Sequence, residues 1–299
     1  LFNFTSNSKL LLRLKKIFFF LFLLFLKNKN NNSIYTTLDD NYGFYLQILF
    51  LKLASYTYDK IIIHHHSFRY ISNKSTFFKL LSSEKFIHIS ISKIQSDFLK
   101  KKYKLKNVYL IKNNAFVYDK FLFNKKFKKK LKVIYFSALT KEKGIYDFLN
   151  LTKAFSKKNI DFFVFGNYCS EQVLNDLKQY KKNNLIKEYK LNIYNKSKES
   201  LFKSSDILIF PSQYKSETTP LVIDECINFQ VVPIAYDIGD IKGQLEGLNL
   251  TINNYRNLKT KLNHVILNYK NFRKKIILLK KKKLKRINID FNNFDKVFY

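Results

Sequence analysis

The chain has 299 residues, of which 46% are hydrophobic, enough for two modest α/β cores and too many for a disordered protein. Its 55 Lys and Arg stand against 22 Asp and Glu, leaving a formal charge of +33, while only six glycines and three prolines punctuate the sequence. Two separated cysteines, Cys169 and Cys226, exclude a disulfide framework and fit a reducing compartment.

The N-terminal segment predicts a helix over Lys9–Lys27. Its apolar run Ile17–Leu26 is ten residues long, too short for the roughly 20 that span a bilayer. Asn and Lys follow that run instead of a small-residue cleavage site, so a buried or membrane-facing helix is expected rather than a signal peptide. Strand Ile34–Thr37, helix Phe44–Tyr56, strand Lys60–His64, helix Ser75–Ser82, strand Phe86–Ile91, helix Lys93–Lys104 and strand Val108–Lys112 come next. Short β-branched or aromatic runs thus alternate with longer periodic ones, as in parallel βαβ units. The basic stretch 120–130 lacks periodicity and reads as a linker.

A second series follows: strand Leu131–Phe136, helix Gly144–Lys157, strand Asp161–Gly166, helix Glu171–Lys182 and strand Leu185–Tyr189. It continues through helix Lys198–Ser204, strand Asp206–Phe210, helix Pro220–Phe229 and strand Val231–Ala235 into helices from about Asn254. The expected organisation is an N-terminal domain over 1–119, the linker 120–130 and a C-terminal domain over 131–299. Two doubly wound sheets of this kind carry their sites at the carboxyl ends of strands.

The charge invites a nucleic-acid reading, since Lys and Arg neutralise phosphates. It accompanies an excess of Asn, Ile, Phe and Tyr, all encoded by AT-rich codons, so part of it reads as compositional drift on a solvated surface. What remains is attraction to an anionic surface, and anionic lipid serves as well as nucleic acid.

Chemistry concentrates in Phe210-Pro-Ser-Gln-Tyr-Lys-Ser-Glu217-Thr-Thr-Pro-Leu-Val-Ile-Asp-Glu225, between a buried strand and a helix. Thr218 or Thr219 is expected to cap that helix, with Pro220 at its first position. The free N–H groups of Leu221 and Val222, at the positive end of the helix dipole, suit a phosphate. Glu217 lies before them, and Glu225 lies roughly 7–8 Å along the axis past Pro220. Two carboxylates can therefore address hydroxyls on either side of a diphosphate.

These segments resemble the retaining GT-B glycosyltransferases of family 4, whose hallmark is a pair of glutamates with seven residues between them. The resemblance extends to Val133–Ile145, similar to the family's first strand and diphosphate loop, and to Asp206–Ser212. Val232–Ala235 and Asp237–Ile241 resemble the strand and turn after the second glutamate. It implies a GT-B α/β architecture, two Rossmann-like doubly wound domains facing a cleft, with the C-terminal one binding the nucleotide-sugar and the N-terminal one on the acceptor side. It also implies that Glu217 contacts the donor sugar, Glu225 the ribose, and Lys143 the diphosphate, with Ser137, Thr218, Thr219, Pro220, Leu221 and Val222 lining the donor. In the first half, Tyr58–Ser67 resembles the strand ending in the family's cleft histidine, which makes His66 (or His65) a sugar contact.

The resemblance implies no cofactor and no metal, and no Asp-x-Asp motif occurs in the chain. The acceptor hydroxyl is expected to attack from the face the nucleotide leaves. The expected partners are a nucleotide-diphosphate sugar, a glycan or lipid-linked acceptor and an anionic membrane surface, not nucleic acid, with the protein peripheral on the cytoplasmic face of the membrane. A structural role for the histidines and a metal at His64–His66 are the other readings of that triplet. On a strand, neighbouring side chains point to opposite faces, so at most two of the three converge.

Two departures motivate a second reading, a GT-B protein that binds donor or partner without catalysis. Ala138 stands where many members carry arginine or asparagine. The glycine-rich loop after the family's first strand has no counterpart here, so the N-terminal domain is expected to be incomplete at its start. A basic nucleic-acid-binding protein is the third reading.

Overall fold

A computed structural model of the chain describes residues 33–39, 43–72, 76–113, 130–156, 158–167, 169–193 and 195–298. The helix expected over Lys9–Lys27 and all of the linker before residue 130 lie outside these residues. The described chain forms two units divided between Ile111 and Lys112, and residues from Asn293 onward group with the first unit rather than the second. Among the described residues no helix is long and apolar enough to cross a membrane.

The first unit is a four-stranded parallel sheet in the order β1 (Ser33–Thr37), β2 (Lys60–His65), β3 (Phe86–Ser90), β4 (Val108–Leu110). Helix α1 (Gly43–Ala54) buries Phe44, Ile48, Leu51 and Ala54, a helical spacing, in a core with Ile61, Ile63, Phe78 and Phe86. Ile62, Ile89 and Ile111 form a separate apolar cluster with Val297. Between β2 and β3 the chain makes α2 (Arg69–Ser72), not expected from the sequence, and the helix expected over Ser75–Ser82 is a 3₁₀ helix, Thr76–Leu81. The helix expected over Lys93–Lys104 divides too. α3 (Lys93–Asp97), capped by Ser92 accepting from the Gln95 N–H, passes into π winding over Phe98–Lys102.

Inside this core a polar chain crosses from β2 to β3. The Leu81 carbonyl can only accept, so His88 Nε2, 3.0 Å away, carries its proton. His88 Nδ1 therefore accepts from His65 Nε2 at 3.1 Å, and His65 Nδ1 accepts from the Tyr70 hydroxyl at 3.3 Å. Both imidazoles are neutral with every nitrogen satisfied, and a proton added to either breaks a link. Burial lowers His65 well below its ordinary value and takes His88 to about 4, against the opposing Leu81 bond. The unfolded chain then binds protons that the native state refuses, so stability is full above pH 6.5 and is lost as pH falls towards 4. His88 alone contributes about 3 kcal/mol over that window. Chemical denaturation followed at pH 7 and pH 4.5 should show this loss, and a flat profile would contradict the neutral pair.

The second unit is a six-stranded parallel sheet in the order β10-β9-β8-β5-β6-β7. Its strands are β5 (Leu131–Phe136), β6 (Ile160–Gly166), β7 (Glu188–Leu191), β8 (Ile207–Phe210), β9 (Val232–Tyr236) and β10 (Thr251–Ile252). The intervening helices are α4 (Ile145–Ala154), α5 (Glu171–Lys182), α6 (Asn195–Ser204), α7 (Leu221–Asn228), α8 (Ile241–Gln244) and α9 (Tyr255–Leu267), before the long α10 (Tyr269–Phe298). β5, β8 and β9 are central and nearly continuous in apolar residues, as strands covered on both faces must be. The chain winds from β5 outwards to β7, then restarts beside β5 at β8 and winds the other way. This is the doubly wound order, and its direction reverses between β5 and β8.

Candidate functional site

In a doubly wound sheet the crevice for a ligand opens where the winding reverses, at the carboxyl ends of the two strands involved. Here the loops at that place are Ser137–Gly144 after β5 and Pro211–Pro220 after β8, the two segments richest in chemistry. The first is closed by turns, Lys143 N–H to Thr140 O at 3.1 Å and Gly144 N–H to Lys141 O at 2.9 Å. The Tyr135 hydroxyl lies 2.8 Å from the Ala138 carbonyl and 3.1 Å from that of Lys143, tying the loop's ends. Burial pushes this phenol's pKa up, so it remains a donor. Gly144 has φ +79°, and a Cβ there would lie 2.0 Å from the Pro211 carbonyl oxygen, so glycine is what lets the loops meet. The Gln213 N–H bonds Glu142 O at 2.8 Å across the same junction.

This contact brings Lys143 and Glu217 together. The Lys143 ammonium is ion-paired with Glu217 Oε1, and the Ser212 hydroxyl donates to the same oxygen at 3.3 Å. Lys143 also lies 4.3 Å from the Tyr214 ring centroid, where a cation is attracted by the ring face. Glu217 sits in a turn closed by its own N–H to Tyr214 O at 3.0 Å. Gly239, at φ +59°, packs against the backbone just after it, where a Cβ would come within 2.4 Å of Thr218 O. The Asp240 N–H binds that carbonyl at 2.7 Å.

Helix α7 begins one residue later than the sequence suggests. Pro220, at φ −60° and ψ 123°, is extended, so it is the N-cap itself and supplies no side-chain cap bond. Thr218 and Thr219 therefore do not cap the helix: both precede the cap. Thr218 is buried, and the buried Thr219 hydroxyl has no hydrogen-bond partner among the described residues. Pro220 O accepts from Ile223 N–H at 3.1 Å and from Gln244 Nε2 at 3.2 Å. Leu221 and Val222 open the helix, where first-turn N–H groups have no intrahelical acceptor.

Glu225, one turn further along α7, receives Lys198 of α6, Nζ to Oε1 2.6 Å. Its other oxygen, Oε2, is buried and has no partner among the described residues. Lys198 was not singled out from the sequence. Ser212 and Tyr214 lay inside the segment singled out there but carried no assigned role. Ser137 ends the β5 ladder, its N–H meeting Phe165 O at 3.3 Å.

His66 belongs to the first unit, at the end of β2. It is exposed, its ring centroid 4.0 Å from that of His64, while His65 points the other way into the core. His64 Nδ1 is 2.6 Å from the Tyr35 hydroxyl, and burial with the neighbouring His66 lowers its pKa to about 4. Among the described residues no group of three or more His, Cys, Asp or Glu is arranged to hold a metal ion.

No curated protein sequence matches the chain. Among solved structures, the pneumococcal O-GlcNAc transferase GtfA, in complex with UDP and GlcNAc, aligns with a TM-score of 0.72 at 14% identity over 95% of this chain. The chain spans 60% of that protein's length. HepE of Anabaena, in complex with UDP, aligns at 0.69 with 12% identity, over 97% of this chain and 84% of its own. A glycosyltransferase from Rickettsia africae aligns at 0.62 with 18% identity, over 98% and 85%. These likenesses establish the GT-B α/β fold. The family described as Glycosyl transferases group 1 matches residues 119–283, more than half of the sequence and the whole of the Lys143–Glu217–Glu225 site, so the chain belongs to the group 1 glycosyl transferases.

Proposed function

We propose that this protein transfers a glycosyl group, with retention, from a nucleoside-diphosphate sugar to a hydroxyl of a glycan or lipid-linked acceptor. The observation that carries the proposal is the convergence of Lys143, Glu217, the start of α7 and Glu225 at the reversal point of one sheet. The diphosphate lies against Lys143 and the Leu221 and Val222 N–H groups, the sugar against Glu217 and the ribose against Glu225 Oε2. Donor entry exchanges ion pairs, because Lys143 leaves Glu217 for the diphosphate and frees the glutamate for sugar hydroxyls. The acceptor oxygen then bonds the anomeric carbon as the bond from that carbon to the phosphate oxygen breaks. The acceptor's proton passes to a phosphate oxygen, and the nucleoside diphosphate departs. Charge developing on that leaving group is stabilised by Lys143 and the helix dipole.

Lys143 and a helix terminus supply the electrostatics for which other transferases use a divalent ion. Transfer is therefore expected to continue in excess EDTA and to give a product of the donor's anomeric configuration by proton NMR. Activity abolished by EDTA and restored by manganese, or an inverted product, would overturn this mechanism.

The protein is also proposed to dock reversibly on the cytoplasmic face of the membrane, in the service of cell-envelope polysaccharide synthesis. Leu46, Leu49 and Leu53 form an exposed stripe on α1, beside exposed Tyr45, Tyr56 and Phe77, and the formal charge of +33 favours anionic lipid. Near such a surface each basic residue is worth about 1 kcal/mol. Sedimentation with phosphatidylserine vesicles at low salt, and release near 1 M salt where the Debye length is about 3 Å, is the expected result. No binding at any ionic strength would remove the membrane.

A further inference from the structure

We infer that Lys198 is a positioning residue for the nucleotide's ribose, acting by fixing which oxygen of Glu225 faces the ligand; this rests on the donor-site reading above. A half-buried carboxylate can rotate about its last bond and present either oxygen, and a ribose diol needs one acceptor held still. Lys198 removes that freedom. Its Nζ binds Oε1 at 2.6 Å, with the lysine side chain 30% and the glutamate side chain 19% exposed, so the pair is partly shielded from water. Oε2 is then left buried and unpaired among the described residues, the one acceptor of the pair still available. Burying an acceptor without a partner is costly, which makes Oε2 a place where a donor hydroxyl gains most.

The lysine is itself held in place. Its Nζ lies 5.2 Å from the Phe136 ring centroid, at the last residue of β5. Phe136 packs on Phe202 of α6 at 5.3 Å, and Phe202 stacks on Phe229 at the end of α7 at 5.9 Å. One aromatic cluster therefore fixes the strand before the diphosphate loop, the helix bearing Lys198 and the helix bearing Glu225. A cation on this scaffold orients the carboxylate without touching the nucleotide.

The test titrates the full chain with UDP, GDP and ADP, and then compares the tightest binder with its 2′-deoxy and 3′-deoxy forms. Wild type should lose about ten- to a hundredfold in affinity when the ribose hydroxyl is removed. In Lys198→Met, and in Lys198→Gln as a second removal, that ribo-to-deoxy ratio should collapse towards one while affinity for inorganic pyrophosphate holds. Lys198→Arg should restore the ratio. In a Glu225→Gln background, Lys198→Met should add no more than about twofold. Equal weakening of ribo and deoxy forms, loss of pyrophosphate binding, or full additivity with Glu225→Gln would overturn the inference. If wild type binds no nucleoside diphosphate, the donor-site reading falls first and takes this inference with it.

Discussion

Replacing Lys283 by methionine is expected to lower the unfolding free energy of the second unit by about 3–5 kcal/mol. The Lys283 ammonium lies 2.8 Å from Asp224 Oδ1, with the two side chains 4% and 3% exposed. Gln244 Nε2 binds the other oxygen at 2.6 Å. Taking the lysine away removes the Lys283 ammonium from a buried carboxylate, and Asp224 is the residue next to Glu225. Pairing Lys283→Met with Asp224→Asn removes the charge while keeping an acceptor for Gln244, and should return most of the loss. By contrast Arg286, 47% exposed in its ion pair with Glu246, should cost at most about 1 kcal/mol when changed to alanine. Urea unfolding of these variants measures all three. A loss under about 1 kcal/mol for Lys283→Met would mean that α10 does not hold α7 through this pair.

The two glutamates should separate affinity from turnover. Glu225→Ala is expected to weaken nucleoside-diphosphate binding by about 1.5–3 kcal/mol, since a charge-assisted hydrogen bond to the ribose is lost. Glu217→Ala should lower turnover about a hundredfold or more, the scale on which removing one charge-stabilising group acts. It should leave nucleoside-diphosphate affinity intact or improved, because the Glu217–Lys143 ion pair no longer has to be broken. Calorimetric titration and steady-state kinetics on both variants give the comparison. Wild-type affinity in Glu225→Ala would remove the ribose contact, and a large affinity loss in Glu217→Ala would move that residue to the nucleotide.

The strands are legible where apolar residues dominate: Leu131–Phe136 matches its expected bounds, and Ile207–Phe210 and Val232–Tyr236 differ by single residues. The seventh strand was not placed correctly. Leu185 and Ile186 made 185–189 look like the strand, but their N–H groups close the turn after α5 onto Tyr180 O, and pairing with β6 is registered over Glu188–Leu191. α8 and β10, of four and two residues, are too short to leave a periodic signal.

At the site, the glutamates and Lys143 stood in segments that read as strand-to-helix loops, whereas Lys198 had nothing to mark it. It is one of 55 basic residues and meets Glu225 only because two helices converge. The run Lys280–Lys283 hid its meaning in the same way. Lys280 and Lys283, three apart on one helical face, are buried, and Lys280 binds Asn228 O at 3.0 Å. Alternation along β2 allows at most two of the three histidines to share a face and leaves open which; the buried His65 is the one that parts from its neighbours. That it pairs with His88 depends on strand register, and composition carries none of that.

The most direct test of the central claim is release of nucleoside diphosphate by the purified chain from a panel of nucleotide sugars, with and without a hydroxyl acceptor, in excess EDTA. At least one donor should be turned over, the acceptor should accelerate release, and Glu217→Ala should lose the activity. No turnover of any donor with a correctly folded wild type, or full activity in Glu217→Ala, would contradict that claim.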